Sequence, residues 1–395
     1  MSSERRMTMP YCIIATVGQS VLTNDSTIRE ALNQFRKEEH DLKAIRDGKH
    51  DFPGKRLYDV VMASLQAKSG DEEWLRRASA ELNHLVPVLA QQPPDRNDII
   101  HLLASQTPDG VLAARVLKDF CEAHFARRVE VHIVEGLQVE DGELFRRKGL
   151  SNLIYYVFEA LRNAPAGTFT RIINPTGGFK GVVPYLTLIG MLERDIEISY
   201  IYEHSRDLIR LAGIPLRLDF ESMEAAYEAL VACQDDLISE DELKEALNWT
   251  AQPISAHPLW ALFDSIEDNG QSYYEPSGLG RIVLEHFKDR FKPVVYLSKA
   301  AYDRYMSFDG NRRREFAELF DRLPDPEWRK GKRHGQVNGH TIIKPGNTDE
   351  RLYYFLSEEG IIVSELALHM PDGKSYDREP GNKKDYGAFY LWKGR

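Results

Sequence analysis

The stretch IINPTGGFKG, Ile172 to Gly181, constrains this chain more than any other. A β-branched run ends in an amide and a hydroxyl, passes two adjacent glycines and a lysine, and enters an apolar run at Val182. Strand, glycine turn and helix start, in that order, aim backbone N–H groups and one cation at whatever lies above the sheet edge. A phosphate suits such a place.

The same order recurs upstream. Tyr11 to Val17 is a short apolar run ending at Gly18, and Asp98 to Ala104 and Arg128 to Glu135 read as further strands. Leu22 to Phe35, Leu57 to Leu85, Asp109 to Arg127, Leu144 to Asn163 and Val182 to Leu192 carry helical patterns, and Glu197 to Tyr202 is a last strand. Strands alternating with helices predict right-handed crossovers and a parallel, doubly wound α/β sheet. Beyond about Asp219 the period changes. Short helical segments follow, including SAHPLWALFDSIEDNG and PSGLGRIVLEHFKDRF, and Ser239 with Glu242 forms a capping-box pattern. They predict a small helical connector, for which a winged helix-turn-helix is one form. From Pro293, a strand, a helical region over Ala300 to Leu323 and three alternating runs predict an α+β domain with an antiparallel meander. The expected boundaries are 1–219, 220–292 and 293–395.

Three strand ends share their chemistry. The first offers Gly18, Gln19, Ser20 and Asn24, the second Ser105 and Thr107, and the third Thr176, Gly177, Gly178 and Lys180. Ligands of open parallel sheets bind outside the carboxyl ends of the strands. Neither G-x-x-x-x-G-K-[ST] nor G-x-G-x-x-G occurs, which disfavours an NTPase or a dehydrogenase.

The chain's net charge is −10, yet Pro293 to Arg395 holds 18 Lys+Arg against 16 Asp+Glu. Broad coating by nucleic acid is therefore disfavoured, while a local basic site in the tail is not. Arg329 to Lys344 contains no acidic residue and offers Arg329, Lys330, Lys332, Arg333, His334, His340 and Lys344. Arg351 opens an apolar strand, His369 ends the next, and Lys374 and Tyr376 lie beyond. Cutting RNA without metal needs a base for the 2′-OH, cations on the phosphate and an acid for the 5′-oxygen; these residue types supply all three. Paired carboxylates suited to Mg²⁺ are not evident, so no metal is expected. Arg312 to Arg314 and Lys383 to Lys384 read as solvated cations. The three cysteines are scattered, the first ten residues lack an apolar signal core, and no run suits a bilayer; a cytoplasmic protein is expected.

TVGQSVLTN, HLLASQTPDG and INPTGGFKG, in that order over about the first 200 residues, resemble the CARF domain of CRISPR-associated proteins, the Rossmann-like sensors of type III systems. The resemblance implies a homodimer that binds a cyclic oligoadenylate, most often cyclic tetra-adenylate, through the ten strand-end residues named above. The ring is an allosteric activator; no cofactor is implied. Gln19 stands where that family's pattern suggests a smaller hydroxyl residue. Some such domains also cut their own activator, and Ser20, Ser105, Thr107 and Lys180 suit that second activity.

The last 100 or so residues resemble the RelE/HigB superfamily of ribosome-dependent mRNA interferases, through IIK…RLYYF…IIVSELALH…YD. The histidine-to-tyrosine spacing, HMPDGKSYD, is longer than the HigB-like H-x-x-Y-D. This implies an endoribonuclease in which the 2′-OH attacks and leaves a 2′,3′-cyclic phosphate. Arg351 and Lys344 would hold the phosphate, with Lys344 also suited as base. Tyr376 or His369 would be the acid, and Lys332, Arg333, His334 and Lys374 would hold RNA. Together the resemblances imply a ring-activated, metal-independent nuclease that cleaves mRNA on the ribosome and arrests translation in antiviral defence. The alternative is a ligand-responsive transcription regulator whose connector binds DNA. Asp235, Asp236, Glu240, Asp241 and Glu242 disfavour DNA there.

Overall fold

The computed structural model describes residues 9–48, 51–138, 141–201, 207–212, 216, 218, 220–234, 237–251, 253–288, 294–345, 349–357, 359–370 and 375–394. The chain divides into two compact units, Met1–Arg217 and Leu218–Arg395. Among the described residues no helix is long and apolar enough to cross a membrane.

The first unit is built on β1 (Tyr11–Val17), β2 (Ile99–Ser105), β3 (Arg128–Val134), β4 (Thr170–Asn174), β5 (Ile196–Ile201) and β6 (Leu208–Ala212). Their spatial order is β3-β2-β1-β4-β5-β6. The first five strands are parallel and β6 runs antiparallel beside β5. Every residue of β1 is buried, as expected of a central parallel strand covered on both faces. The antiparallel edge strand, LIRLA, is a departure from the expected all-parallel sheet. The long pattern predicted over Leu57 to Leu85 is divided among helices Lys55–Ala67, Glu72–Ala78 and Ala80–Leu89. Asp71 caps the second, accepting from the Trp74 N–H, and Ser79 ends the second and caps the third, accepting from the Leu82 N–H. At the amino ends of β1 and β2, buried Asp98 pairs with Arg127 at 2.8 Å and accepts the Tyr11 N–H at 2.7 Å. This pair closes the end of the sheet away from the predicted loops.

The second unit contains β7 (Ile238–Ser239), β8 (Phe263–Asp268) and β9 (Gln271–Pro276), in the order β7-β9-β8. The SAHPLWALFDSIEDNG segment is therefore not helical, as predicted, but short 3₁₀ turns leading into a hairpin. Asn269 and Gly270 both take positive φ, 50° and 76°, the two-residue turn that matches strand twist. The capping box at Ser239 forms as predicted. A six-stranded sheet follows: β10 (Val295–Ser298), β11 (Arg333–Val337), β12 (His340–Ile343), β13 (Glu350–Ser357), β14 (Gly360–Leu368) and β15 (Phe389–Leu391), in the order β11-β12-β13-β14-β10-β15. The predicted meander is β12-β13-β14. The basic stretch before it forms the helix Pro326–Lys332 and β11, turned into β12 at Asn338-Gly339. One hydrophobic core joins Met223, Leu230, Leu243, Phe263 and Phe287 to Leu297, Phe320, Leu352, Tyr354 and Val363.

Candidate functional site

The loops after β2, β1 and β4 are neighbours on one edge of the first unit's sheet, because those strands are adjacent. Strand order reverses between β1 and β4, and a crevice at such a point is the usual ligand position.

The first and third loops are locked together. Thr16 Oγ1 donates to the Gly177 carbonyl at 2.6 Å. A Cβ on Gly18 would lie 2.8 Å from the Gly178 nitrogen, and one on Gly177 would lie 2.0 Å from Glu81 Oε1 and 2.7 Å from the Thr16 carbonyl. Gly178 has φ +75°. The two glycines therefore serve close backbone approach and a left-handed turn. Asn174 Oδ1 accepts the Thr176 N–H at 3.0 Å and its hydroxyl as well, and Thr176 Oγ1 accepts the Ile201 N–H at 3.3 Å.

Beneath them sits Glu81, which the sequence reading missed. It is fully buried, accepts the Gly18 N–H at 2.7 Å on Oε1, and accepts the Ser20 hydroxyl at 3.2 Å on Oε2. Burial pushes its carboxyl pKa up, while those bonds and its Ser79 contact pull it down. It lies in the first turn of a helix, where a glutamate is ordinary, so no sequence signal marks it.

Among the ten predicted ligand residues, several side chains are already used within the fold. Ser20 Oγ accepts the Ala80 N–H at 2.9 Å, and Asn24 donates to the Arg77 carbonyl at 3.1 Å. Ser105 and Thr107 share a 2.9 Å hydroxyl bond, and Thr107 caps the helix Pro108–Phe125. Gln19 and Lys180 are exposed. Lys180 Nζ donates to the Thr176 carbonyl at 3.0 Å. Gln19 accepts from Arg36 at 3.3 Å, an exposed cation that also pairs with Asp109 at 2.7 Å. Arg36 is a second residue the sequence did not single out.

In the second unit, alternation along the strands sorts side chains to the two sheet faces. Ile343, Leu352, Tyr354 and Leu366 join the main core, while Ile342, Tyr353 and Ala367 form a separate small cluster with Tyr376 packed on it. Arg351 faces Tyr376: its Nε donates to the phenol oxygen at 3.4 Å, and its guanidinium lies 5.4 Å from the ring centroid. Its Nη1 donates to the Glu350 carbonyl at 2.7 Å. His369 packs edge-on against Tyr376 at 5.1 Å, and the two residues form an isolated antiparallel bridge. That bridge brings the residues together despite their longer spacing. Asp377 anchors the loop by accepting the Leu368 N–H at 2.7 Å and pairing with Arg304.

His334, Lys344 and His369 share this neighbourhood. Burial lowers the His334 pKa, and the charges of Arg351 and Lys344 lower it further. The structure thus brings together Arg351, Lys344, His369, Tyr376 and His334. Lys332 is tied to Lys344 through the backbone, its carbonyl accepting the Lys344 N–H at 3.0 Å. Arg333 turns elsewhere, donating to the Glu245 carbonyl at 3.3 Å and lining a cavity with Lys244 and Trp249. Lys374, Asp235 and Asp236 lie outside the described residues.

Two residues of the basic stretch are structural instead. His340 is fully buried between Ser364 Oγ at 2.8 Å and the Gly381 carbonyl at 3.1 Å. Burial, with Lys383 nearby, pushes its pKa down to about 4. Arg329 is buried and donates to the Leu323 carbonyl at 2.5 Å. Arg312, read as solvated, reaches Glu350 at 3.7 Å.

Residues 76–214 match a family model described as CRISPR-associated protein (Cas_APE2256). Over that stretch the chain is similar to CRISPR-associated proteins. The match, about a third of the chain, includes Glu81 and the second and third loops but not the first. A comparison with curated proteins found no match.

Proposed function

We propose that the chain is a cyclic-oligoadenylate-activated, metal-independent endoribonuclease of CRISPR defence that cuts mRNA on the ribosome. One observation carries the reading: Arg351, Lys344, His334, His369 and Tyr376 share one neighbourhood of the second unit. A buried guanidinium and a lysine beside two imidazoles and a phenol match the demands of 2′-OH attack on a phosphodiester. Arg351 holds the non-bridging oxygens, with its guanidinium oriented by Tyr376. A neutral imidazole or Lys344 takes the 2′-OH proton, and His369 or Tyr376 returns one to the 5′-oxygen. The phosphate and 2′-oxygen close into a 2′,3′-cyclic phosphate. The family match and three adjacent phosphate-suited loops support a sensor role for the first unit, with cyclic tetra-adenylate as the ligand and a second copy of the chain completing a two-fold pocket.

The regulator alternative draws support from the hairpin β8–β9 beside helices Glu240–Ala246 and Gly278–Lys288. The first turn of the former, Glu240, Asp241 and Glu242, opposes a DNA backbone. Ring-activated cleavage of a reporter mRNA, compared between a translating extract and purified RNA, tests the proposal. Cutting only in the extract is expected; equally fast cutting of naked RNA would refute ribosome dependence.

A further inference from the structure

We propose that His101, Glu130 and His132 form a binding site for one divalent transition-metal ion of the zinc class. The site lies on β2 and β3 of the first unit and shares no residue with the strand-end loops. In the sheet register His101 stands opposite Glu130, and His132 follows two residues later on the same face. One ligand atom from each side chain lies within 4.8 Å of the others.

The separations are those of ligands around a shared ion. His101 Nδ1 is 3.0 Å from His132 Nε2 and 3.6 Å from Glu130 Oε2, and His132 Nε2 is 4.0 Å from the same oxygen. Tetrahedral zinc with bonds near 2.0–2.1 Å separates its ligands by about 3.3 Å. The carboxylate oxygen is too far for a hydrogen bond to either ring, yet it faces both. Its other oxygen, Oε1, is held by Arg128. A single hydrogen bond between the two rings leaves this oxygen without a role; a cation at the centre uses all three atoms.

The surroundings suit an ion. His101 is buried, and helix Leu150–Asn163 packs over this face, with Tyr156 4.9 Å from the His132 ring. Two imidazoles and one carboxylate favour zinc over magnesium or calcium. Since β3 is an outer strand, the ion would clamp the sheet edge to β2 rather than take part in cleavage. No short motif announces it, because the ligands come from two strands.

The test uses full-length, tag-free protein stripped with a chelator and titrated calorimetrically with Zn²⁺ alone. One ion per chain is expected. His132→Ala and Glu130→Gln should each weaken binding at least tenfold, and His124→Ala should leave it unchanged. Co²⁺ should give the intense visible bands of a tetrahedral site in the parent protein and lose them in Glu130→Gln. Glu130 is partly exposed, so that variant preserves the fold and its circular dichroism can show it. Absence of stoichiometric binding, or equal affinity in folded Glu130→Gln, would overturn the proposal.

Discussion

The Gly18 N–H points down at Glu81 Oε1, 2.7 Å away, rather than up toward the crevice. The first strand-end loop is thereby fastened to a buried carboxylate, and through Gly177 the third loop rests on the same group. Glu81 is a positioning residue: it fixes the two loops' spacing and leaves the crevice to other groups.

Glu81→Ala should therefore orphan a buried N–H and lower the first unit's stability by about 1–3 kcal/mol. Glu81→Gln keeps an acceptor and should lose less. The folded pKa is raised, so the native state holds its proton more tightly than the unfolded chain. The Glu81 contribution then rises as pH falls through the folded pKa toward the ordinary value of 4.5. Thermal melts of the parent and Glu81→Gln between pH 4.5 and 8 would reveal it as a difference in slope between the two.

Lys180 and Ser20 should behave differently. Lys180 is exposed and bound only to a backbone carbonyl among its described side-chain bonds, so Lys180→Ala should weaken ring binding about tenfold without shifting the melt. Ser20 links Glu81 to the Ala80 N–H, so Ser20→Ala should lower the melting temperature as well. Calorimetric titration with cyclic tetra-adenylate, beside melts of both variants, separates the roles; matching behaviour of the two would contradict the assignment.

The second unit should be acid-labile through His340. Its folded pKa lies near 4 and its ordinary value is 6.5, so the folded state prefers the neutral ring. The stability this provides is complete above pH 6.5 and fades as pH falls toward 4, by about 3 kcal/mol at most. His340→Gln should flatten that fall in denaturant titrations of the second unit.

His334 was read from the sequence as an RNA contact, but its place beside Arg351, Lys344 and His369 suits a base that stays neutral at physiological pH. His334→Ala should lower ring-activated cleavage at least tenfold and change the acid limb of its pH profile. Loss of RNA affinity with an unchanged profile would return His334 to the binding role.

The parallel core of the first unit was legible because β1, β2 and β4 are short apolar runs ending in glycine or hydroxyl turns, followed by helical periodicity. The β8–β9 hairpin was not. Trp260, Leu262 and Phe263 crowd apolar residues ahead of it, and this hid the alternation that Asn269-Gly270 closes. Arg351 was legible as a guanidinium opening an apolar strand. Glu81 was not, since its significance comes from contacts with Gly18 and Ser20, some 60 residues away in the chain. His340 and Arg329 were counted in the basic stretch because charge in a sequence carries no record of burial.

The most direct test is reporter-mRNA integrity in a translating extract, with and without cyclic tetra-adenylate, for the parent chain and Arg351→Ala. The account predicts cleavage only when the ring and Arg351 are both present. Intact mRNA in every arm, or cleavage that persists in Arg351→Ala, would contradict it.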